Sequence, residues 1–130
     1  MDLDRALARA LLRLSLGVNL LVHGLVRVPH LRQFADGMAR DFSSTVLPGL
    51  LVHAFALALP VSEAAVGLLL IIGLWQRAVL ILGTLLMMAL IVGTALQQHW
   101  ETLTQQMVYV FIYAALLATR SWDSWSLDAR

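Results

Sequence analysis

The residue with the clearest capacity for chemistry is Glu63, a single acid inside the otherwise apolar run of residues 46–75. A carboxylate at the centre of a bilayer is costly unless it faces protein or trapped water. A buried acid of this kind can carry a proton or bind the head group of a quinone. It can also be a structural glutamate, held by Arg27, by Arg77 or by a histidine.

Two histidines, His23 and His53, fall at similar depths in neighbouring apolar segments. Histidines on facing helices can ligate a haem iron or donate to a quinone carbonyl. Each can equally hydrogen-bond a neighbouring helix. His23 also belongs to a stripe of polar residues that recur every four positions, which is the spacing of one helix face. The members of this stripe are Ser15, Asn19, His23 and Arg27.

These patterns define the candidate site. The candidate catalytic residues are Glu63 and His23. The candidate cofactor-binding residues are Asn19, His23, His53 and Arg27. A quinone is a candidate cofactor. The sequence contains no flavin, nucleotide or iron–sulfur motif, haem is disfavoured because only the two histidines would support it, and no metal site is predicted. His30 and His99 lie near the ends of apolar segments and receive no role.

Composition places the chain in a membrane. Hydrophobic residues make up 60% of its 130 residues and the mean hydropathy is +0.80, whereas soluble domains are about 45–50% apolar. The net charge of +1 gives no case for nucleic-acid binding. The chain has no cysteine, which excludes a disulfide relay, a CxxC redox site and thiolate metal ligands.

Four segments have the length and apolarity of a membrane span. They are residues 7–26, 46–75, 78–98 and 102–119. Pro60 lies inside the second segment, where it removes a backbone hydrogen bond and favours a kink or tilt. A polar loop is predicted over residues 27–45, and the other two connections are short. Short connections make neighbouring helices antiparallel, so the sequence predicts one all-α domain, an integral membrane up-down four-helix bundle.

The arginines predict an orientation. Three of them, Arg27, Arg32 and Arg40, fall on one side, where acidic residues balance them. The other side carries Arg5, Arg9, Arg13, Arg77, Arg120 and Arg130. Cytoplasmic loops carry an excess of basic residues. Both termini are therefore expected in the cytoplasm, for a multi-pass protein of the bacterial inner membrane.

Five short stretches form an ordered pattern along nearly the whole chain. They are residues 12–17 with an early arginine, residues 22–27 with a histidine–glycine pair before an arginine, Phe34, residues 63–77 with an acid and a leucine-rich run before Gln-Arg, and residues 125–128 with the letters WSLD. In order and spacing they resemble the DoxX family of small four-helix membrane proteins. This resemblance implies an inner-membrane protein linked to oxidoreductases, such as the small subunit of a thiosulfate:quinone oxidoreductase.

Three functions remain open. The first is a subunit of a quinone-linked oxidoreductase or electron-transfer complex, with a quinone held among Asn19, His23 and Glu63. The second is a non-catalytic accessory subunit at the edge of a respiratory or photosynthetic complex. The third is a small transporter or channel, which the sparse intramembrane charge disfavours. In the first two, the partners are membrane lipid and other membrane subunits, and whether this chain is an enzyme stays open.

Overall fold

The computed structural model describes residues 2–130, which are helical throughout their regular structure and contain no strand. The all-α prediction is therefore confirmed. The helices are α1 (Leu3–Arg27), α2 (Leu31–Asp41), α3 (Gly49–Ile72), α4 (Gln76–Leu96) and α5 (Trp100–Ala118). Short 3-10 turns cover Val28–His30, Arg120–Trp122 and Leu127–Ala129.

The segment after α1 is helical, where the sequence predicted a polar loop over residues 27–45. It forms α2 because it has an apolar face to bury, even though Gly37 lies in its middle. Ala35 on that face is fully buried, and α2 packs along α3. Burial of one apolar stripe is what stabilises most helices in proteins.

Three helical segments of residues 2–130 are long and apolar enough to cross a membrane. They are Leu3–Asp41, Gly49–Ile72 and Gln76–Leu96. The chain is therefore a membrane protein. The predicted fourth span, residues 102–119, corresponds to α5, which is not among the three because polar residues such as Gln105 and Gln106 lower its hydropathy. A fourth span and the side on which the termini lie stay predictions.

The closest helix pair is α1 and α3, and glycine makes the contact possible. A β-carbon on Gly24 would lie 2.6 Å from the backbone nitrogen of Ala64, and one on Gly67 would lie 2.7 Å from the carbonyl oxygen of Gly17. Membrane helices pack through such small residues. Pro60 does not interrupt α3, and its carbonyl faces Gly24. The two helices therefore hold the residues at their contact in a fixed register.

The apolar core lies between α1, α3, α4 and α5. Its buried members are Leu16, Leu20, Val66, Leu70, Val79, Leu80, Met87, Tyr113 and Leu116. Two of them, Tyr113 and Leu116, come from α5, so this helix belongs to the same packed unit as the three candidate spans.

Candidate functional site

Glu63 lies on α3 against α1 and is paired with an arginine. Its Oε2 is 3.5 Å from Nη1 of Arg27, and 12% of the Glu63 side chain is exposed against 36% for Arg27. The guanidinium of Arg27 also lies 4.7 Å from the ring centre of Phe34 on α2, within range of a cation–π interaction. Arg27 therefore links the end of α1 to both α2 and α3.

Two more residues of the polar stripe, Asn19 and His23, precede Arg27 on the same face of α1. Nδ1 of His23 is 2.9 Å from the backbone oxygen of Asn19, and the hydroxyl of Tyr109 on α5 donates to Oδ1 of Asn19 at 3.0 Å. His23 adjoins Gly24, which packs against Pro60 and Ala64 on α3, so His23 lies in the neighbourhood of Glu63. We call Asn19, His23, Arg27, Glu63 and Tyr109 the Glu63 site. Four of its five members were candidates from the sequence, and Tyr109 was not.

His53 does not join the Glu63 site through any contact that the structure shows. Its Nε2 lies 3.0 Å from Oδ1 of Asp36 on α2, while His23 bonds the backbone of its own helix. The sequence left open whether the two histidines share a ligand or each bond a neighbouring helix. In the structure each has a different partner, and that of His53 lies on α2, which packs along α3.

An apolar cavity of about 660 Å³ lies between α2, α3 and α4, within the size range of small-molecule sites. Three of the chain's four phenylalanines line it, namely Phe34, Phe42 and Phe55. Its polar lining comes from Gln33, Asp41, Thr94, Gln97 and Gln106. Because Phe34 also contacts Arg27, the cavity borders the Glu63 site.

A second polar cluster lies at the opposite end of α1 and begins with Arg13. This side chain is almost completely buried. Its Nη1 donates to the carbonyl oxygens of Leu70 and, at 2.8 Å, of Ile71, both in the last turn of α3. Its Nη2 donates to the carbonyl of Trp125 at 3.2 Å. A cation at the C-terminal end of a helix is also favoured by the helix dipole.

Arg9, one turn earlier on α1, is buried in the same cluster. Its Nη2 donates to the carbonyl of Leu116 at 3.2 Å, and its Nη1 lies 3.6 Å from Oδ1 of Asp123. Asp123 also accepts from Nε2 of Gln76 at 2.7 Å and from the hydroxyl of Ser126. The buried charge of Arg9 is thus compensated by an acid from the C-terminal segment.

Asp128 completes the cluster by capping α4. Its two carboxylate oxygens accept from the backbone nitrogens of Trp75 at 2.8 Å and Gln76 at 2.7 Å, donors that a helix start leaves free. Gly73 ends α3 in the left-handed region with φ of 71°, and a β-carbon there would lie 3.0 Å from Cα of Ser126. We call this cluster the C-terminal latch: Arg9, Arg13, Gln76, Asp123, Ser126 and Asp128.

The sequence carries one signal for the latch, the spacing of Arg9 and Arg13. Arg9 and Arg13 are four residues apart in an apolar helix and so share one face, which requires acceptors from elsewhere in the fold. Residues 125–128 were recognised as a motif, but no role followed from it. In the structure, the two arginines and residues 125–128 lie together, and they attach the C-terminal segment to α1, α3 and α4.

Fold and sites together define a small helical membrane protein with a paired intramembrane acid and a polar latch at one end. Residues 5–106 match the profile of the family described as methylamine utilisation protein MauE. The chain belongs to this family. No curated protein and no solved structure matches it at a significant level.

This match shows that the resemblance to the DoxX family is wrong. The stretches that suggested it have structural duties: Gly24 and Gly67 allow two helices to touch, Arg13 bonds a helix end, and Asp128 caps another. Small helical membrane proteins in general require close helix contacts and bonded helix ends. Such motifs therefore do not distinguish one family of this kind from another.

Proposed function

We propose that this protein is a membrane-embedded accessory component of the redox system that serves methylamine utilisation. The match of residues 5–106 to the MauE family carries this proposal. The three apolar helical segments support a role within the membrane. We place the protein in the inner membrane of a bacterium.

Within this role, Glu63 is the residue that we propose to be functional. It lies on a strongly apolar helix, and charged residues at such positions are costly to keep. Its pairing with Arg27 at 3.5 Å is long for a charge-assisted hydrogen bond, and Arg27 is itself over one third exposed. This geometry supports an acid that can exchange a proton or accept a donor from a partner, with His23 beside it as the second candidate.

A gene-deletion experiment in the native host tests the proposal. Cells without the gene should lose methylamine-dependent oxygen uptake but grow normally on other nutrients, and the wild-type gene should restore uptake. The Glu63→Gln variant should restore less than about a tenth of it at equal membrane abundance, since proton-transfer groups contribute at least about a hundredfold to rates. Glu101→Gln, at an exposed acid near the start of α5, is the matched control and should restore full uptake.

Either of two results would contradict this account. Unchanged uptake in the deletion strain would exclude a role in methylamine utilisation. Full uptake with Glu63→Gln would leave the family role intact but would remove Glu63 from it.

A quinone site is the second candidate, favoured by the position of the cavity. A planar quinone head group could pack on Phe34, with its isoprenoid chain among the other apolar residues of the cavity. Arg27 lies on the same phenylalanine, and His23 and Asn19 lie beyond it on α1. None of these three residues lines the cavity, and Arg27, through its contact with Phe34, is the one that could donate to a quinone carbonyl oxygen at the cavity edge.

Quinone extracted from the purified protein tests this candidate. Protein isolated in a mild detergent should retain close to one quinone per chain, and Arg27→Gln should lower that ratio severalfold. Arg32→Gln is the control, because Arg32 is an exposed arginine on α2, whereas among residues 2–130 it is Arg27 whose guanidinium lies over the ring of Phe34. An absence of quinone from the wild-type protein, or equal loss in both variants, would reject the site.

A further inference from the structure

A second pocket, far from the Glu63 site, lies where α4 begins. Its volume is about 570 Å³, and its walls include Trp75, Arg77, Ile81, Arg120 and Asp128. It brings the first turn of α4 together with the C-terminal segment. Neither the candidate site from the sequence nor the proposed function uses it.

The two arginines of this pocket differ from those of the neighbouring latch. Arg77 and Arg120 are both exposed, and neither takes part in the ion pairs that residues 2–130 form. Arg9, by contrast, is buried and paired with Asp123. Two guanidinium groups are thus available on one pocket, where they can bind the oxygens of a phosphate in a fork geometry.

The one acid in the wall does not cancel this charge. The carboxylate of Asp128 already accepts from the backbone nitrogens of Trp75 and Gln76. Two arginines against one occupied carboxylate leave the pocket positive. Its ligand should therefore be an anion.

The wall also has an apolar part that faces outward. Trp75 is 65% exposed and Ile81 is 43% exposed. Trp75 directly precedes α4, and Ile81 lies within the apolar segment that α4 forms. Tryptophan is enriched at the level of lipid head groups. The pocket therefore offers a charged part for a head group and, one turn further along α4, an apolar part for an acyl chain.

We propose that this pocket binds an anionic phospholipid, with Arg77 and Arg120 on its phosphate and Ile81 against its acyl chain. Basic pockets at the ends of membrane helices recognise lipid head groups in this way. Because Arg120 lies in the C-terminal segment and Arg77 on α4, the bound lipid fastens the latch region to the bundle. This inference does not depend on the role in methylamine utilisation.

Native mass spectrometry of the full-length protein in a neutral detergent tests the proposal. The probes are phosphatidylglycerol, phosphatidylcholine and inorganic phosphate. Phosphatidylglycerol should bind one molecule per chain and raise the melting temperature, while the other two should do neither at equal concentration. The double variant Arg77→Gln/Arg120→Gln should bind phosphatidylglycerol about 25-fold more weakly, since each basic residue near a membrane surface contributes about fivefold.

The matched control removes the same charge elsewhere. Arg32→Gln/Arg40→Gln changes two exposed arginines on α2 and should leave the affinity within twofold of wild type. Equal weakening in both double variants, equal binding of phosphatidylcholine, or competition by inorganic phosphate would overturn the proposal. Should the first double variant fail to fold, Arg77→Gln alone must weaken binding at least threefold, and unchanged binding would overturn it.

Discussion

At the scale of single residues, the central feature is the ion pair of Glu63, because an unpaired carboxylate is costly inside a membrane. Glu63 is held by Arg27, which is 36 positions away in the sequence. A buried ion pair gains little overall, because desolvation offsets the attraction, but losing one partner leaves an uncompensated charge. The effect of the pair on the stability of the protein is therefore measured by removing one of its two members.

Replacing Arg27 with methionine should destabilise the protein by about 2 kcal/mol, less than the cost for a fully buried pair because Arg27 stays partly exposed. Unfolding in detergent measures the change. The double variant Arg27→Met/Glu63→Met should regain more than half of the loss. If the stability losses of the single variants Arg27→Met and Glu63→Met simply add in the double variant, the residues do not interact in the folded protein.

The latch makes a second prediction at this scale. Asp128→Ala removes the acceptor of two backbone donors at the start of α4 and should cost about 1–2 kcal/mol, the upper range for a helix cap. Asp2→Ala removes the exposed cap of α1, which binds one donor, and should cost less. Thermal unfolding of the two variants compares them, and an equal or smaller loss for Asp128→Ala would contradict the capping role.

The sequence identifies these residues only where their chemistry differs from that of their neighbours. A lone acid in an apolar run is conspicuous, so Glu63 could be found. Its partner could not be chosen among Arg27, Arg77 and the histidines, since that choice depends on how α1 packs on α3. The latch contact of Arg13 with Trp125 joins residues 112 positions apart, and no local pattern encodes such a separation.

At the scale of elements, the contact between α1 and α3 positions the Glu63 site. Gly24→Val would place side-chain atoms against the backbone of α3 at Ala64 and should cost several kcal/mol, because helix backbone in contact cannot shift cheaply. Gly37→Ala is the control, since nothing lies near Gly37 and alanine is the better helix former by about 1 kcal/mol. Measured by unfolding in detergent, the two changes should have opposite signs. A stable Gly24→Val variant would contradict the observed packing.

Element prediction succeeded where hydropathy alone decides and failed where tertiary burial decides. The long apolar runs gave α3 and α4 within a few residues, with Gly73 ending α3. α2 was missed because its polar composition resembles a loop. Its helical form depends on the burial of Ala35 and on the packing of α2 along α3, which is a property of the assembled fold.

At the scale of the whole molecule, the position of α5 decides the topology. Its packing into the shared core leads us to propose that it crosses the membrane with α1, α3 and α4. The chain has no cysteine, so single cysteines can report each side. His99→Cys and Ser121→Cys, at exposed positions beyond either end of α5, should react with an impermeant thiol reagent from opposite sides. Labelling from the same side would show that α5 does not cross.

The central claim is that this small membrane protein works within a larger redox assembly. The most direct test is the native mass of the protein released in mild detergent from membranes of methylamine-grown cells. We predict a discrete heteromeric mass that contains at least one redox subunit and is absent from cells grown without methylamine. A monomer or homo-oligomer of the same abundance under both conditions would contradict the claim.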